Sequence, residues 1–349
     1  MERQMKNANS SMKVYASILS AAGMLVVAGP AAAQNASGRV SVHLPGGMEA
    51  TVFASVPEDF EPDLASDTEL LEYGYPQRPD VTNSEALALW ERAVHTTRVS
   101  TDLVESPGIF HRPVQQLQKS TNATATSGNW SAVVVDGTSA DFDDIDAFWA
   151  VPNVASQVAK TANGYSSMWV GLDGDGTQDL IQDGTSSQWV GGKAVYNAWV
   201  EVLPAAETVV TGLTINPGDA IYAVTEYKVV NGKASAFFYM SNLNTVKNIS
   251  VSIAFPTDLK YTGQTAEWVV ERTDVNGSFE NPMPNYGLGF MSAAYASRTG
   301  SSTLYPANGT PSSVGTTIYV SMYDTPTKKT LSTPAPQGVD SITFQWDAY

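Results

Sequence analysis

An all-β fold, a sandwich or barrel of antiparallel strands, is predicted for this 349-residue chain by three observations. From Asn129 onward the sequence is a succession of short alternating or apolar runs: WSAVVV, DAFWAV, SMWVGL, NAWVEVL, DAIYAVTEYKVV, SAFFYM, NISVSIAF, TAEWVVE, TIYVSM and SITFQW. Clusters of Gly, Asn, Asp and Pro separate them, the spacing expected of strands joined by tight turns. Only 15% of residues are charged, against about 25% in an ordinary soluble protein, while Ser, Thr, Gly, Asn and Tyr are plentiful. That composition suits a secreted β protein.

Taken in order, the chain divides into three parts. Residues 1–33 carry Arg3, Lys6 and Lys13, then an apolar run over 14–29, then Pro30 and three alanines. This is the layout of a secretory signal cleaved after Ala33, and the apolar run is short for a membrane span of about 20 residues. No later stretch is long and apolar enough to cross a bilayer, so no membrane association is expected once the signal is removed, and the product is expected to be extracellular. Residues 34–120 hold all three histidines and most of the arginines. Leu87, Trp90 and Val94 recur there at spacings of three and four, predicting an amphipathic helix over 84–95. The segment ends in QQLQKSTNATATSG, which reads as an exposed polar linker. It is expected to be a propeptide, with a small accessory domain as the alternative. The third part, 121–349, is the β domain.

Charge and composition exclude much chemistry. Asp and Glu number 35 against 19 Lys and Arg, a net charge of −16 that repels phosphate backbones, so nucleic acid is no partner. With no cysteine there is no disulfide scaffold, thiolate metal site or cysteine nucleophile. The histidines are His43, His95 and His111, so a working domain beyond them supplies no Ser-His-Asp triad or His-ligated zinc of its own. The run GLDGDGTQD over 171–179 resembles a calcium loop only superficially, since it lacks the spacing and final Glu of an EF-hand. No metal and no cofactor are expected. The acidic run DFDDID over 141–146 reads as a solvated turn.

Alternation then sorts side chains by sheet face. Met168, Val170 and Leu172 point to the core, and Trp169 and Asp173 point away. Ala198, Val200 and Val202 form a second core set, with Trp199 and Glu201 opposite. Glu267, Val269 and Glu271 share one face, and Ala266, Trp268 and Val270 the other. Trp and carboxylate side chains thus gather on a non-core face, which points to a binding surface. Glu267 and Glu271 are about 13 Å apart along one strand, too far for the carboxyl pair of a glycosidase at roughly 5–9.5 Å. A glycoside hydrolase would pair Glu201 with Glu271, and a carbohydrate-binding module would stack sugar on Trp169 and Trp199. Both readings stay open on the residues alone.

The same residues resemble the eqolisins, the family of glutamic peptidases. The resemblance starts at Asn129-Trp130, is similar again at Ala150-Val151-Pro152, and sharpens in WVGLDGDGTQDLIQDG, YNAWVEVLP and AEWVVE. It departs at Asp183, where the family often has Thr, and at Gln188, where an acidic residue is expected. The resemblance implies an antiparallel β-sandwich of concanavalin or jelly-roll type. It also implies a catalytic pair formed by Gln182 and Glu271, with Trp169, Asp173 and Glu201 lining the cleft as substrate-binding residues. The expected activity is that of a secreted acid endopeptidase made as a zymogen. Its partners are polypeptide substrates and its own propeptide as inhibitor, and it is expected to be a monomer.

Overall fold

The computed structural model describes residues 38–114, 117–119, 123–155, 163–230, 232–256, 259–278 and 281–347. The expected signal segment, 1–33, lies outside the described residues.

The third part of the chain builds one continuous antiparallel ladder that folds back on itself. Its strands are β1 (Trp130–Gly137), β2 (Phe142–Ala150), β3 (Ser167–Leu172), β4 (Ile181–Val190), β5 (Lys193–Val202), β6 (Thr208–Val210) and β7 (Ala220–Val230). They continue as β8 (Lys233–Asn242), β9 (Lys247–Ala254), β10 (Thr265–Glu271), β11 (Leu288–Arg298), β12 (Gly315–Asp324), β13 (Lys329–Pro336) and β14 (Ile342–Trp346). Neighbour follows neighbour in the order β6-β5-β4-β3-β10-β1-β12-β13-β14-β11-β2-β7-β8-β9. The result is an all-β sandwich, as the pattern predicts.

The main core lies between the two halves. Met168, Val170, Leu172, Val200, Val202, Ala266, Trp268 and Val270 of one half meet Ile145, Trp149, Ile221, Phe238, Met240 and Val251 of the other. Every residue assigned to the core by alternation on β3, β5 and β10 is there, because a strand has only two faces and the aliphatic one is driven out of water.

The described residues of 38–119 do not form a separate globule. Strand Glu49–Phe53 pairs with the edge strand β9, and Leu103–Glu105 pairs with β6 at the opposite edge. Between them lie α1 (Asp67–Tyr73) and α2 (Ser84–Val94). The helix predicted over 84–95 is α2, started by the Asn83 side chain, which accepts from the Ala86 N–H. Its Trp90, Ala93 and Val94, with Leu70 of α1, cover Tyr222, Val224, Phe237 and Tyr239 on the outer face of the second half. Helix α1 was not predicted, although its Ser66 and Glu69 form a capping box readable in the sequence.

Two local expectations are corrected. The acidic run 141–146 is not a solvated turn but the start of β2, with Phe142 and Ile145 fully buried. Asp146 is buried there too, where it accepts from the Tyr222 hydroxyl at 2.8 Å and burial pushes its carboxyl up to about 7. Nor is the polar stretch ahead of β1 a wholly exposed linker, for Leu117 is buried and Thr124–Ser127 pairs with β12. Alternation within Thr-Ala-Thr-Ser suffices for a short strand when neighbours offer their backbones.

Candidate functional site

The site is built on the outer face of β10, β3, β4 and β5. Three rows of cross-strand neighbours define it. Glu267 stands opposite Gly171, Gly171 opposite Gln182, and Gln182 opposite Glu201. The next row runs Val269, Trp169, Gly184, Trp199, and the third runs Glu271, Ser167, Ser186, Asn197. Only glycine fits at 184, since a Cβ there would lie 2.4 Å from the Met168 carbonyl oxygen and 2.5 Å from the Trp169 Cβ. Gln182 and Glu271 are therefore two strands and two rows apart, with the Trp169 indole between them in the register.

This face is buried, not solvated, because residues 109–114 and Leu117 of the second part cross it. Leu117 and Val114 pack with Trp130, Trp169, Leu180 and Trp199 in a second apolar cluster. Ile109–Phe110 pairs with Asp274–Val275 on one side, and on the other the Val114 N–H donates to the Gly174 carbonyl at 2.9 Å. Between these two anchors lie His111 and Arg112.

The Gln182 side chain donates through Nε2 to the His111 carbonyl oxygen at 2.9 Å and also to Glu201 Oε2. Its Oε1 has no protein partner among the described residues. Glu271 Oε1 accepts from the Arg112 N–H at 3.0 Å, and its Oε2 accepts from the Trp169 indole N–H at 3.0 Å. Glu201 accepts from the His111 N–H at 3.2 and 3.3 Å. Asn129 donates through Nδ2 to the Arg112 carbonyl at 3.2 Å and to Glu271 Oε1 at 3.4 Å.

The His111 ring is wholly enclosed. It stacks on the Trp199 indole with centroids 3.7 Å apart and planes 5° from parallel. Nδ1 lies 2.6 Å from Glu271 Oε2, and Nε2 lies 2.9 Å from Glu207 Oε2. With a carboxylate at each nitrogen both must donate, so the ring is an imidazolium. Burial by itself works against that charge, but the Glu271 and Glu207 carboxylates outweigh it and push the imidazole up to about 10. Burial likewise pushes the Glu271 carboxyl up, while His111, the Trp169 indole and the Arg112 N–H pull it part of the way back. Burial holds Glu201 well above the ordinary carboxylate range, against the pull of His111.

Of the residues singled out in the sequence, Gln182, Glu271, Trp169 and Glu201 converge around one peptide unit of the crossing segment. Asp173 does not join them. Its two oxygens accept from the Thr262 N–H and hydroxyl, the Gly263 N–H and the Gln264 N–H at 2.7–3.1 Å. It ties down the turn ahead of β10. Asp173→Ala is therefore expected to cost roughly 2–3 kcal/mol of stability while leaving kcat on short peptides nearly unchanged, as thermal unfolding and steady-state kinetics will tell. A large loss of kcat in a folded variant contradicts this placement. Sequence reasoning missed three participants: Glu207, His111 and Asn129. Asn129 belonged to a recognised motif without a role, Glu207 lies past the end of β5 where alternation stops, and His111 sits outside the β domain altogether.

Comparison with known proteins bears on the family and the fold. A family model described as the Peptidase A4 family matches residues 128–334. Among solved structures, the chain is similar to scytalido-glutamic peptidase with a transition state analog inhibitor, at 18% identity and a TM-score of 0.51, covering 63% of this chain and 99% of that one. The same peptidase with a peptide-based transition state analog gives 20% identity and a TM-score of 0.51 over 63% and 99% of the two chains. Aspergilloglutamic peptidase from Aspergillus niger matches at 22% identity with a TM-score of 0.44 over 53% of this chain and 99% of that one. The first two show a shared fold. No curated protein matches the sequence.

Proposed function

The chain belongs to the Peptidase A4 family and is a glutamic peptidase, and from that premise we propose that it is a secreted acid endopeptidase made as a zymogen, with Glu271 as general base and Gln182 as the oxyanion donor. One observation carries the reading. Two side chains hold the two ends of a single peptide unit, Gln182 at the His111 carbonyl oxygen and Glu271 at the Arg112 N–H.

In a substrate lying as residues 111–112 lie, an ionised Glu271 takes a proton from a water that attacks the carbonyl carbon. The Gln182 NH2 donates to the oxygen as it gains charge. Glu271 then returns the proton to the departing nitrogen, which already faces its Oε1. A neutral amide keeps its donors at every working pH, whereas the base must be ionised. The donors around Glu271 favour its charged form and take back part of the rise that burial causes. Trp169 fixes the carboxylate through its indole N–H, and Glu201 takes the N–H of the same residue that carries the scissile carbonyl. A glycoside hydrolase would need Glu201 as an acid paired with Glu271. Here Glu201 is instead engaged by the Gln182 amide and a backbone N–H, the contacts of a peptide-positioning group.

The crossing segment supports the zymogen reading. It lies over the Gln182–Glu271 face, and His111 occupies the Glu271 oxygen that a water would need. Residues 34–120 then act as an inhibitor in cis, and export relies on the 1–33 segment. The purified full chain is expected to digest a denatured protein at about pH 3, once protonation of latch carboxylates has released the segment and renewed contact with water has brought the Glu271 carboxyl back down, and to do so equally with pepstatin present. Absence of digestion by a folded chain at any acid pH rules the reading out.

A further inference from the structure

We propose that the His111–Arg112 peptide bond is the first bond this site cuts in its own chain, and that the pocket formed by Trp199 and Glu207 selects histidine on the carbonyl side of the cleaved bond. The proposal rests on the roles given above to Gln182 and Glu271.

The segment lies as a substrate lies. Three successive backbone groups meet three side chains of the site in order: the His111 N–H meets Glu201, the His111 carbonyl meets Gln182, and the Arg112 N–H meets Glu271. The Arg112 carbonyl is held by Asn129. Upstream, the Ile109 carbonyl accepts from the Glu207 N–H at 3.0 Å, and downstream the Val114 carbonyl accepts from the Gly176 N–H at 2.9 Å. The chain is thus fixed on both sides of one bond, and among the described residues that bond alone has its oxygen on the Gln182 amide and its nitrogen on the Glu271 carboxylate.

The pockets on the two sides of the bond differ. Trp199 presents a flat face to the His111 ring, and Glu207, which also accepts from the Ser186 hydroxyl at 3.4 Å, presents a charge to its far nitrogen. Both the ring and the Glu207 side chain are almost completely enclosed. A planar cation satisfies both walls, whereas phenylalanine satisfies only the indole and lysine only the carboxylate. Arg112 is looser: its side chain is 39% exposed, with Nε 2.8 Å from Asp274 Oδ2. Selectivity is accordingly expected on the histidine side.

The step is an ordinary hydrolysis in which solvent water is the only co-reactant. The water oxygen bonds to the His111 carbonyl carbon, the carbon–nitrogen bond to Arg112 breaks, and a proton passes through Glu271 to the nitrogen. The products are a carboxyl at His111 and an amine at Arg112. At rest the imidazolium holds Glu271 Oε2, so the cut waits until the ring gives up that contact while keeping Trp199 and Glu207, the two contacts that seat the bond and that alanine lacks. Any start between Lys119 and Asn129 in the mature enzyme then comes from later trimming.

Sequencing the new N-termini over time, in the full chain brought from neutral to acid pH, tests the proposal. The expected first product begins Arg112-Pro113-Val114, is absent from Glu271→Gln, and forms at least about tenfold more slowly in His111→Ala. Because His111→Ala could disturb the packing of the segment, a synthetic peptide of residues 106–114 is also offered to processed enzyme. It should be cut after histidine, and Glu207→Gln should reduce the preference for this peptide over its His-to-Phe version by about tenfold. If the enzyme digests a denatured protein but its own first cut falls elsewhere and the peptide stays whole, the proposal is overturned and the peptidase reading stands. If neither the chain nor the denatured protein is cut by folded enzyme, the peptidase reading itself has failed.

Discussion

Glu271→Gln is expected to remove proteolysis, a loss of about a hundred- to ten-thousand-fold in kcat, because the amide keeps the shape of the side chain and has no basic oxygen. Gln182→Ala should cost about a hundred- to a thousand-fold, the range for loss of one oxyanion donor. Gln182→Glu should do nearly the same, since a carboxylate cannot offer the NH2. The two residues act on one transition state, so the double variant should be little worse than the worse single one. Glu201→Gln keeps an acceptor for the substrate N–H and should leave measurable activity. Steady-state kinetics on a denatured protein, with circular dichroism to confirm folding, reads all of these. Full activity in folded Gln182→Ala removes the glutamine from the mechanism.

Replacing His111 has the second large effect, on how tightly the segment is held in the site. Taking one partner from a buried charge cluster costs roughly 3–5 kcal/mol, so a 106–114 peptide with Ala at position 111 should inhibit the processed enzyme at least about a hundredfold more weakly at neutral pH. The contribution of the ion pair has a window with two edges. His111 lies above its ordinary value, so its share is complete below about pH 6.5 and fades as pH rises toward about 10. On the acid side, His111 lowers the Glu271 and Glu201 carboxyls relative to a site without it. That share is present while they are ionised and is lost as they protonate. Since burial raises both carboxyls, protonation begins at a higher pH than for ordinary Glu. The gap between the two peptides should therefore narrow in acid and again in alkali, as inhibition constants across the pH range will show. A gap that widens steadily into acid contradicts the assignment of the latch to this pair.

Much of the architecture was legible in advance because strand alternation has only two outcomes. Once Val170, Val200 and Val270 are placed inward, Trp169, Glu201 and Glu271 must face the other way, and they do. Helix α2 was legible for the same kind of reason, through the spacing of Leu87, Trp90 and Val94. Asp173 was misjudged because alternation gives a direction and not a partner. Its backbone is in the left-handed region at φ 65°, which turns its carboxylate to the 262–264 turn and away from the row that carries Gln182. The 141–146 run was misjudged because acidic residues usually stay in water, whereas here Phe142 and Ile145 fix the strand and Asp146 follows with a tyrosine hydroxyl as its partner.

By itself the sequence determined the all-β class, the face on which the chemistry lies and the family resemblance that singled out Gln182 and Glu271, because each is written in local order: side-chain period, turn residues, short motifs. The tertiary structure decided what meets across that face. Gln182 and Glu271 stand on strands that are not neighbours, and neither touches the other in the register; they are joined by a peptide unit from a segment 71 residues before the glutamine. No local rule places His111 on Trp199 and between Glu271 and Glu207. That contact follows from the pairing of Ile109–Phe110 with Asp274–Val275 and of Leu103–Glu105 with β6. Long-range pairing of this kind depends on which edges and faces the finished sheet leaves open, and that information exists only once the sheet has formed.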